Sequence, residues 1–496
     1  MALTKVTDSM IQGGVVSVTD FGAVDDNTTD NTDAITAAAA HLQAQGGGVL
    51  LFPFIDTGIY RMTPDVGTIV ATFTDLDGVQ VVFQGTTLKD DQIYTTGQES
   101  TAFQFTRCKN IAVNANIESE LIVTGTSPTI RGLVGVQLVD NCTNFDIKLT
   151  MLGGKDGVWC TRDPATQGKA RQGRVAVDCT SVLYPYAGTF SGDDVKVQIN
   201  ATLCGRNFFI YGVQNNWINV DSKNQQVTSL IAGSGGGAAY SEGCRDIWIT
   251  FYDRNSDSGP GAPLMEMVFR DAALNFTNIN VSVDVYCPAS RPWDNTFRFV
   301  RTDSTAGHQV NNFTLSGRSE HSDALAVQTA HLNFSGFAGS PIIFRGFNVV
   351  DYYCTGTNTF FGADLQALEG SLALFKNVRC VTPLNVVNGS SGNPTFISCV
   401  APYATTDTSF QTYINCQWTD PISANLTNKI WINSSRGSDI YTNLLNFVFA
   451  PGLWLVDGVG APATVSGYAG LYVDSADGDL KVKFGDGTVK TIVTDT

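Results

Sequence analysis

The chain has 496 residues, 43% of them hydrophobic and 15% charged. That composition excludes a disordered chain and supplies apolar material for a large core. A formal net charge of −16 makes nucleic acid and anionic membranes poor partners, although a local basic patch still permits binding of an acidic glycan. No apolar run reaches the ~20 residues of a membrane-spanning helix, so membrane insertion is not expected.

Residues 1–14 read as a linker. Met1 to Met10 lacks the basic, apolar and small-residue succession of a signal peptide, so folding in a cytoplasm is expected. Thr28-Thr29-Asp30-Asn31 then supplies capping side chains for a helix over 32–45. Ala34, Ile35, Ala38 and Leu42 form its apolar face, and Gly46-Gly47-Gly48 stops it. The strand Val49-Leu50-Leu51-Phe52-Pro53 follows, and residues 15–60 together read as an N-terminal cap.

From 61 to 420 the sequence repeats one phrase: a short alternating strand, a turn, an Asn or Asp, then apolar-x-apolar. It reads Cys108-Lys109-Asn110-Ile111-Ala112-Val113, then Cys142-Thr143-Asn144-Phe145-Asp146-Ile147, then Cys244-Arg245-Asp246-Ile247-Trp248-Ile249. Weaker copies begin at Asp194, Asn278 and Asn312. The interval is about 30 residues, the scale of solenoid repeats, and shortens toward Cys380, Cys399 and Cys416. If each copy is one coil, equivalent residues stack ~4.8 Å apart, Asn and Asp form a turn ladder, and Cys, Ile, Val and Phe fill the interior.

These features predict an all-β, right-handed parallel β-helix. A β-sandwich or β-propeller would show a steadier period and more hairpin turns. The 11 cysteines are odd in number, form no CxxC pair and recur at one place in the repeat, which predicts buried thiols. Residues 421–460 read as a connecting region. In 461–496 two Asp-Gly turns, at Asp477-Gly478 and Asp486-Gly487, separate alternating strands and predict a β-meander too small to bury its own core.

Val18-Thr19-Asp20-Phe21-Gly22-Ala23 resembles the opening motif of the pectate-lyase-like β-helix superfamily. The match continues through Asp30-Asn31-Thr32-Asp33-Ala34-Ile35 and Gly46-Gly47-Gly48-Val49 to Phe52-Pro53 and Gly58-Ile59-Tyr60. It departs at Asp25-Asp26-Asn27, where the family often has Gly-Asp-Gly. Leu3 to Ile11 and the closing Phe484-Gly485-Asp486-Gly487-Thr488-Val489-Lys490-Thr491-Ile492 resemble segments of bacteriophage tail proteins. The resemblance implies a tailspike, a virion protein folded in the host cytoplasm and acting at the host surface. It implies a homotrimer, held in part by 461–496, that binds and usually cuts capsule or O-antigen polysaccharide. It also implies contact with other tail proteins through the N-terminus, no sizeable head-binding domain here, and no cofactor.

Glycoside hydrolysis uses two carboxylates, about 5 Å apart for retention and roughly 6.5–9.5 Å for inversion. Alignment of the alternating strands matches Phe103 and Phe105 to Val136 and Leu138, to Tyr240, to Met267 and Phe269, and to Phe297 and Phe299. The next-but-one position becomes a column of Arg107, Asp140, Glu242, Asp271 and Arg301. Glu242 and Asp271 are then a stacked acid and base or nucleophile, with Arg301 favouring ionisation of its neighbour. The same column is also readable as solvated corner chemistry.

A second set falls on expected loops: Tyr252, Asp253, Arg254, Asn255, Ser256 and Asp257, then Arg291, Pro292, Trp293 and Asp294. Trp293 beside Asp294 suits a sugar, whose C–H face stacks on the ring while the carboxylate binds hydroxyls; a Trp folded over the core edge is the alternative. Glu266, between Met265 and Met267, is expected to face outward. Ser191-Gly192-Asp193-Asp194 faintly echoes polygalacturonases, but their other elements are missing. The four histidines are not spaced as metal ligands. Three functions therefore stay open: a hydrolase, a lyase with a Lys, Tyr or His base, and a non-catalytic receptor-binding spike.

Overall fold

The computed structural model describes residues 14–95, 97–120, 132–162, 166, 168–223, 225, 228–233, 243–254, 263–269, 275–287, 296–301, 308–321, 330–335, 343–355, 359–361, 373–380, 395–401, 411–418, 429–432, 434–436, 439–441, 461, 464, 466 and 469–494. Among them, no helix is long and apolar enough to cross a membrane.

Alternation decides the local structure. In strand Thr143–Leu152, Phe145, Ile147, Leu149 and Met151 are buried, while Asn144, Asp146, Lys148 and Thr150 face out. The strand pairs in parallel with Lys109–Ser119 on one side and Arg171–Thr180 on the other. Between these, the chain visits a second sheet, where Gly132–Val139 pairs in parallel with Asp156–Thr161. Repetition of this alternation builds a parallel sheet of 24 strands and another of 11. Among the described residues, the exception to parallel pairing in the larger sheet is Ser434–Arg436 with Asp439–Tyr441. The protein is a parallel β-solenoid, a β-helix, because neither a sandwich nor a propeller has such pairing.

The core lies between the sheets, and each coil fills it with the same side-chain types. Phe73 stacks on Phe105 at 5.1 Å, Phe313 on Phe347 at 5.4 Å and Phe375 on Phe396 at 4.9 Å between ring centroids. Each buried ring contributes about 1.5–3 kcal/mol by burial and about 0.5–1.5 kcal/mol by stacking.

The expected turn ladder is present. Asn110, Asn144, Asp194, Asp246, Asn278 and Asn312 all hold φ between 51° and 59°, a left-handed conformation that Asn and Asp tolerate. Asn144 Nδ2 donates to Asn110, Asn278 to Asp246 at 2.7 Å and Asn312 to Asn278 at 3.0 Å. Gln172 and Asn215 also belong to the ladder; their coils are short, with Asn215 donating to Asp194 only 21 residues away. Intervals shorten again toward the end, where Asn377, Ser398 and Asn415 continue the positive-φ positions and the last step is shorter than the one from Asp194 to Asn215. Asn144→Ala removes one rung and places a Cβ-bearing apolar residue at positive φ, so a loss of about 1–2 kcal/mol is expected in urea unfolding. Asn144→Gly, which keeps the conformation and loses only the rung, should fall between the two.

All ten cysteines whose side chains are described are buried and unbridged. Cys108 and Cys142 direct Sγ at the carbonyls of Phe73 and Phe105, 3.4 and 3.2 Å away, one coil back. Burial pushes the Cys142 and Cys244 thiols up to about 12, so they stay neutral and unreactive near pH 8. Iodoacetamide at that pH should leave both unmodified in the folded protein and label both in urea. A cystine involving either in the unreduced protein would contradict this reading.

The helix spans Thr32–Ala44 and buries Ile35, Ala38, Ala39 and Leu42. Asn31 occupies the cap position without a capping bond; Asp30 instead accepts from the Thr32 amide at 3.0 Å. The side chain of Asn31 is used to tie Val24 to Arg61. The helix lies against Ile69–Thr74, the terminal strand of the 11-stranded sheet. Thr36 and Gln43 donate to the carbonyls of Val70 and Thr74, and Gln43 accepts from the Thr74 amide. Side chains thus satisfy backbone groups of an edge strand that would otherwise invite another chain. At the far end, Ala469–Val473, Leu480–Phe484 and Val489–Val493 form a three-stranded antiparallel sheet, turned at Gly478 and Gly487 with φ of 73° and 87°.

Candidate functional site

The residues selected from sequence scatter. Glu242, Asp271, Trp293 and Asp294 lie outside the described residues, as do Asn255, Ser256, Asp257, Arg291 and Pro292. The alignment behind the acidic column holds at its start. Val136 and Leu138 pair with Phe103 and Phe105, and Arg107 bonds Asp75 at 2.7 Å and stands 3.7 Å from Asp140. It then slips. Met267 pairs with Phe299, not Phe297, and Arg301 stands opposite Phe269 rather than opposite Asp271. The neighbour of Met265–Phe269 is Ser229–Gly233, with Ile231 opposite Met267, and Tyr240 lies outside the described residues. Period-2 alternation looks the same after a shift of two residues, which is why sequence did not reveal the slip.

Tyr252, Asp253 and Arg254 are in strand Arg245–Arg254, not in a loop. Tyr252 points outward and is 41% exposed, whereas Asp253 points inward and is 0% exposed. A surface ligand therefore cannot reach the Asp253 carboxylate. Glu266 does not face an open groove: it is buried and ion-paired with Arg298 of the next coil. Burial pulls the Arg298 guanidinium below its usual range.

The described residues do assemble a site on the outer face of the larger sheet. Five neighbouring strands contribute: Gln214–Lys223, Arg245–Arg254, Asn275–Cys287, Gln309–His321 and Ile343–Thr355. Every second residue of each faces outward, and parallel register turns these into columns. The first runs Trp217, Trp248, Asn280, Thr314, Asn348. The second runs Asn219, Thr250, Ser282, Ser316. The third runs Asp221, Tyr252, Asp284, Arg318, Tyr353, and Tyr286 and Glu320 stand side by side beyond it.

The result is a shallow trough. Asn280, Ser282, Thr314 and Ser316 form a floor of short polar side chains. Trp248 and Tyr252 rise at one end, 37% and 41% exposed, and Tyr353 at the other, 39% exposed. Three strand steps separate the two tyrosines, about 14 Å. Asp284 and Arg318 occupy the two places between them. Arg318 pairs with Glu320 on its own strand and lies 5.7 Å from the centre of the Tyr353 ring.

A bulge shapes this end. The register between Gln309–His321 and Ile343–Thr355 shifts between Leu315 and Gly317. Gly317 takes φ 106°, and a Cβ there would lie 2.0 Å from the Val283 carbonyl oxygen.

Chemically, flat rings offer apolar faces to C–H groups, short polar side chains match hydroxyls, and a guanidinium beside a carboxylate holds it in place. The α-carbons of Asp284 and Glu320 are about 8 Å apart, from one strand step and two residues of rise. Among the described residues, no group of His, Cys, Asp and Glu could hold a metal ion. Sequence reading took only Tyr252 from this face. The signal for the others was the outward half of the alternation, as in Trp217-x-Asn219-x-Asp221.

No protein-family model matches the chain, and no curated protein matches it. Solved structures do. The A-module of the mannuronan C-5 epimerase AlgE6 of Azotobacter vinelandii is 14% identical, over 82% of this chain and 100% of that one, with a TM-score of 0.49. A family 28 exopolygalacturonase of Yersinia enterocolitica is 12% identical, over 86% of this chain and 79% of that one, with a TM-score of 0.35. The tailspike protein of E. coli bacteriophage HK620, as a double mutant, is 10% identical, over 84% of this chain and 78% of that one, with a TM-score of 0.45. A phage tailspike and two carbohydrate-active enzymes are thus among the solved structures to which this chain is similar.

Proposed function

We propose that this chain is a phage tailspike that binds a bacterial surface polysaccharide, capsule or O-antigen, in the trough and cuts it by glycosidic hydrolysis. The observation that supports this most is the column Tyr252, Asp284, Arg318, Tyr353, in which two exposed rings bracket an acid and a guanidinium over a polar floor. Two rings hold sugar units on either side of the carboxylates, and a glycosidic bond in the segment between them comes to lie over Asp284 and Glu320. These are the proposed acid and base or nucleophile. Glu242 and Asp271 are a second carboxylate pair in the proposal, with Arg301, Trp293 and Asp294 around them.

The proposal extends to right-handed winding, the usual hand of parallel crossovers, and to a homotrimer. The C-terminal strands support the trimer, since Leu471, Phe484, Val489, Ile492 and Val493 are exposed there and a small apolar sheet favours a partner. Attachment to other tail proteins through the N-terminus and action at the host cell surface complete it.

The test is incubation with purified host capsule or O-antigen, followed by sizing of the products. Release of short oligosaccharides with saturated ends is expected; unsaturated uronate ends would replace the hydrolase by a lyase. Binding without shortening would replace it by a receptor-binding spike. Polysaccharide neither bound nor cut would overturn the proposal.

A further inference from the structure

Trp217 and Trp248 stack face to face, 5.0 Å between centroids and 6° between planes, and are 40% and 37% exposed. The outer face of Trp217 is covered by Lys196, whose Nζ lies 5.8 Å from the ring centre. Lys196 is opposite Trp217 and Arg174 opposite Lys196, so two cations precede the indoles in the column that ends in the trough. Lys148 is exposed one strand further back, two residues along from the place opposite Arg174.

Among the described residues, Lys148, Arg174 and Lys196 have no ion-pair partner, although the chain carries a net charge of −16. The carboxylates on this face beside them are Asp146, opposite Arg174, Asp194, two residues before Lys196 and bonded by Asn215, and Asp178, four residues along the strand from Arg174. Asp178 accepts a hydrogen bond from Asn200 instead. Unpaired cations beside exposed indoles, on an acidic protein, form a charge pattern that ordinary surface solvation does not require.

We infer that this stretch is a recognition subsite for an acidic polysaccharide, one whose repeating unit carries a carboxylate. The polymer runs along the solenoid axis. One sugar lies in the trough against the open face of Trp248, and the chain passes the exposed indole edges. An acid-bearing sugar then meets Lys196 and Arg174. Trp248 and Lys196 are two strand steps apart, about 10 Å, too far for one sugar to touch both. The cations thus read a different unit from the one held at Trp248. This rests on the glycan reading of the trough and adds the charge class of the glycan.

The test uses a panel of purified bacterial capsules and O-antigens, uronate-bearing and neutral, with each uronate polymer also supplied after chemical reduction of its carboxyls. The polymers bound should be the uronate-bearing ones, and reduction should weaken binding at least about fivefold. Lys196→Gln and Arg174→Gln should each weaken binding of the native polymer about three- to fivefold, the scale of an exposed charge pair, and leave the reduced polymer unaffected. Lys196→Arg should restore it, and Tyr353→Ala should weaken binding of both forms. If the bound polymers are neutral and Tyr353→Ala weakens them, the trough reading stands and the acidic-glycan inference falls. The inference also falls if Lys196→Gln and Arg174→Gln act equally on native and reduced polymer. If nothing in the panel binds, both fall.

Discussion

Asp284→Asn and Glu320→Gln should each lower the rate of polysaccharide cleavage by about 10²–10⁴-fold, the range for loss of a general acid or base. Polymer binding should stay within a few-fold of the parent. Both side chains face outward from neighbouring strands on either side of Arg318, and an amide keeps their shape while removing the transferable proton or the negative charge. Arg318→Gln should behave differently. It removes the guanidinium that pairs with Glu320 and lies against the Tyr353 ring, so it should weaken polymer binding as well as slow cleavage. Reducing-end release and polymer binding measure all three. Parental rates in both amide variants would exclude this pair, and Glu242→Gln and Asp271→Asn would then be the variants to examine.

Gly317→Ala should cost about 3 kcal/mol or more and abolish polymer binding. Two effects add. At φ 106° an L side chain is strained, and the new Cβ would lie 2.0 Å from the Val283 backbone oxygen, which cannot rotate away as a side chain can. The bulge that sets Arg318 opposite Tyr353 has its extra residue in the partner strand, between Val349 and Tyr352, the partners of Leu315 and Gly317, so relief of the clash would move one wall of the trough. Gly346 offers the control. Its φ is 82°, but a Cβ there meets the end of the Asn312 side chain at 2.7 Å, which can turn aside. Gly346→Ala should therefore cost about 1–2 kcal/mol, from the positive φ and a loosened Asn312–Asn278 rung, and spare binding. Unfolding midpoints and polymer binding, measured on both variants, decide this. Equal losses at the two glycines would show that backbone conformation alone matters.

The solenoid was legible because its local requirements are written into every coil. Asn144 and Asn278 stand where the backbone must enter the left-handed region, Cys142 and Cys244 where a small apolar group must fit, and Phe145-x-Ile147-x-Leu149 where one face must be buried. The helix over Thr32–Ala44 was equally plain, since one turn of apolar spacing and a glycine stop suffice to mark it. By itself, the sequence determined the alternation of the strands, most rungs of the ladder, the thiols and the helix, but not that Tyr252 to Arg254 continue a strand or that Gln172 and Asn215 are rungs. Only the tertiary structure decided which residues of different coils become neighbours. That depends on register, and alternating apolar residues fit equally well after a slip of two, as the places of Met267 and Arg301 show. It depends also on coil length, because the 21-residue step from Asp194 to Asn215 is not announced by any motif. Trp217, Tyr252, Asp284, Arg318 and Tyr353 are spread over five strands, and each looks like an ordinary solvent-facing residue in its own strand. They become one site only when backbone hydrogen bonds fix the stacking of the coils, an interaction that is the same for every side chain and so leaves no mark in the sequence.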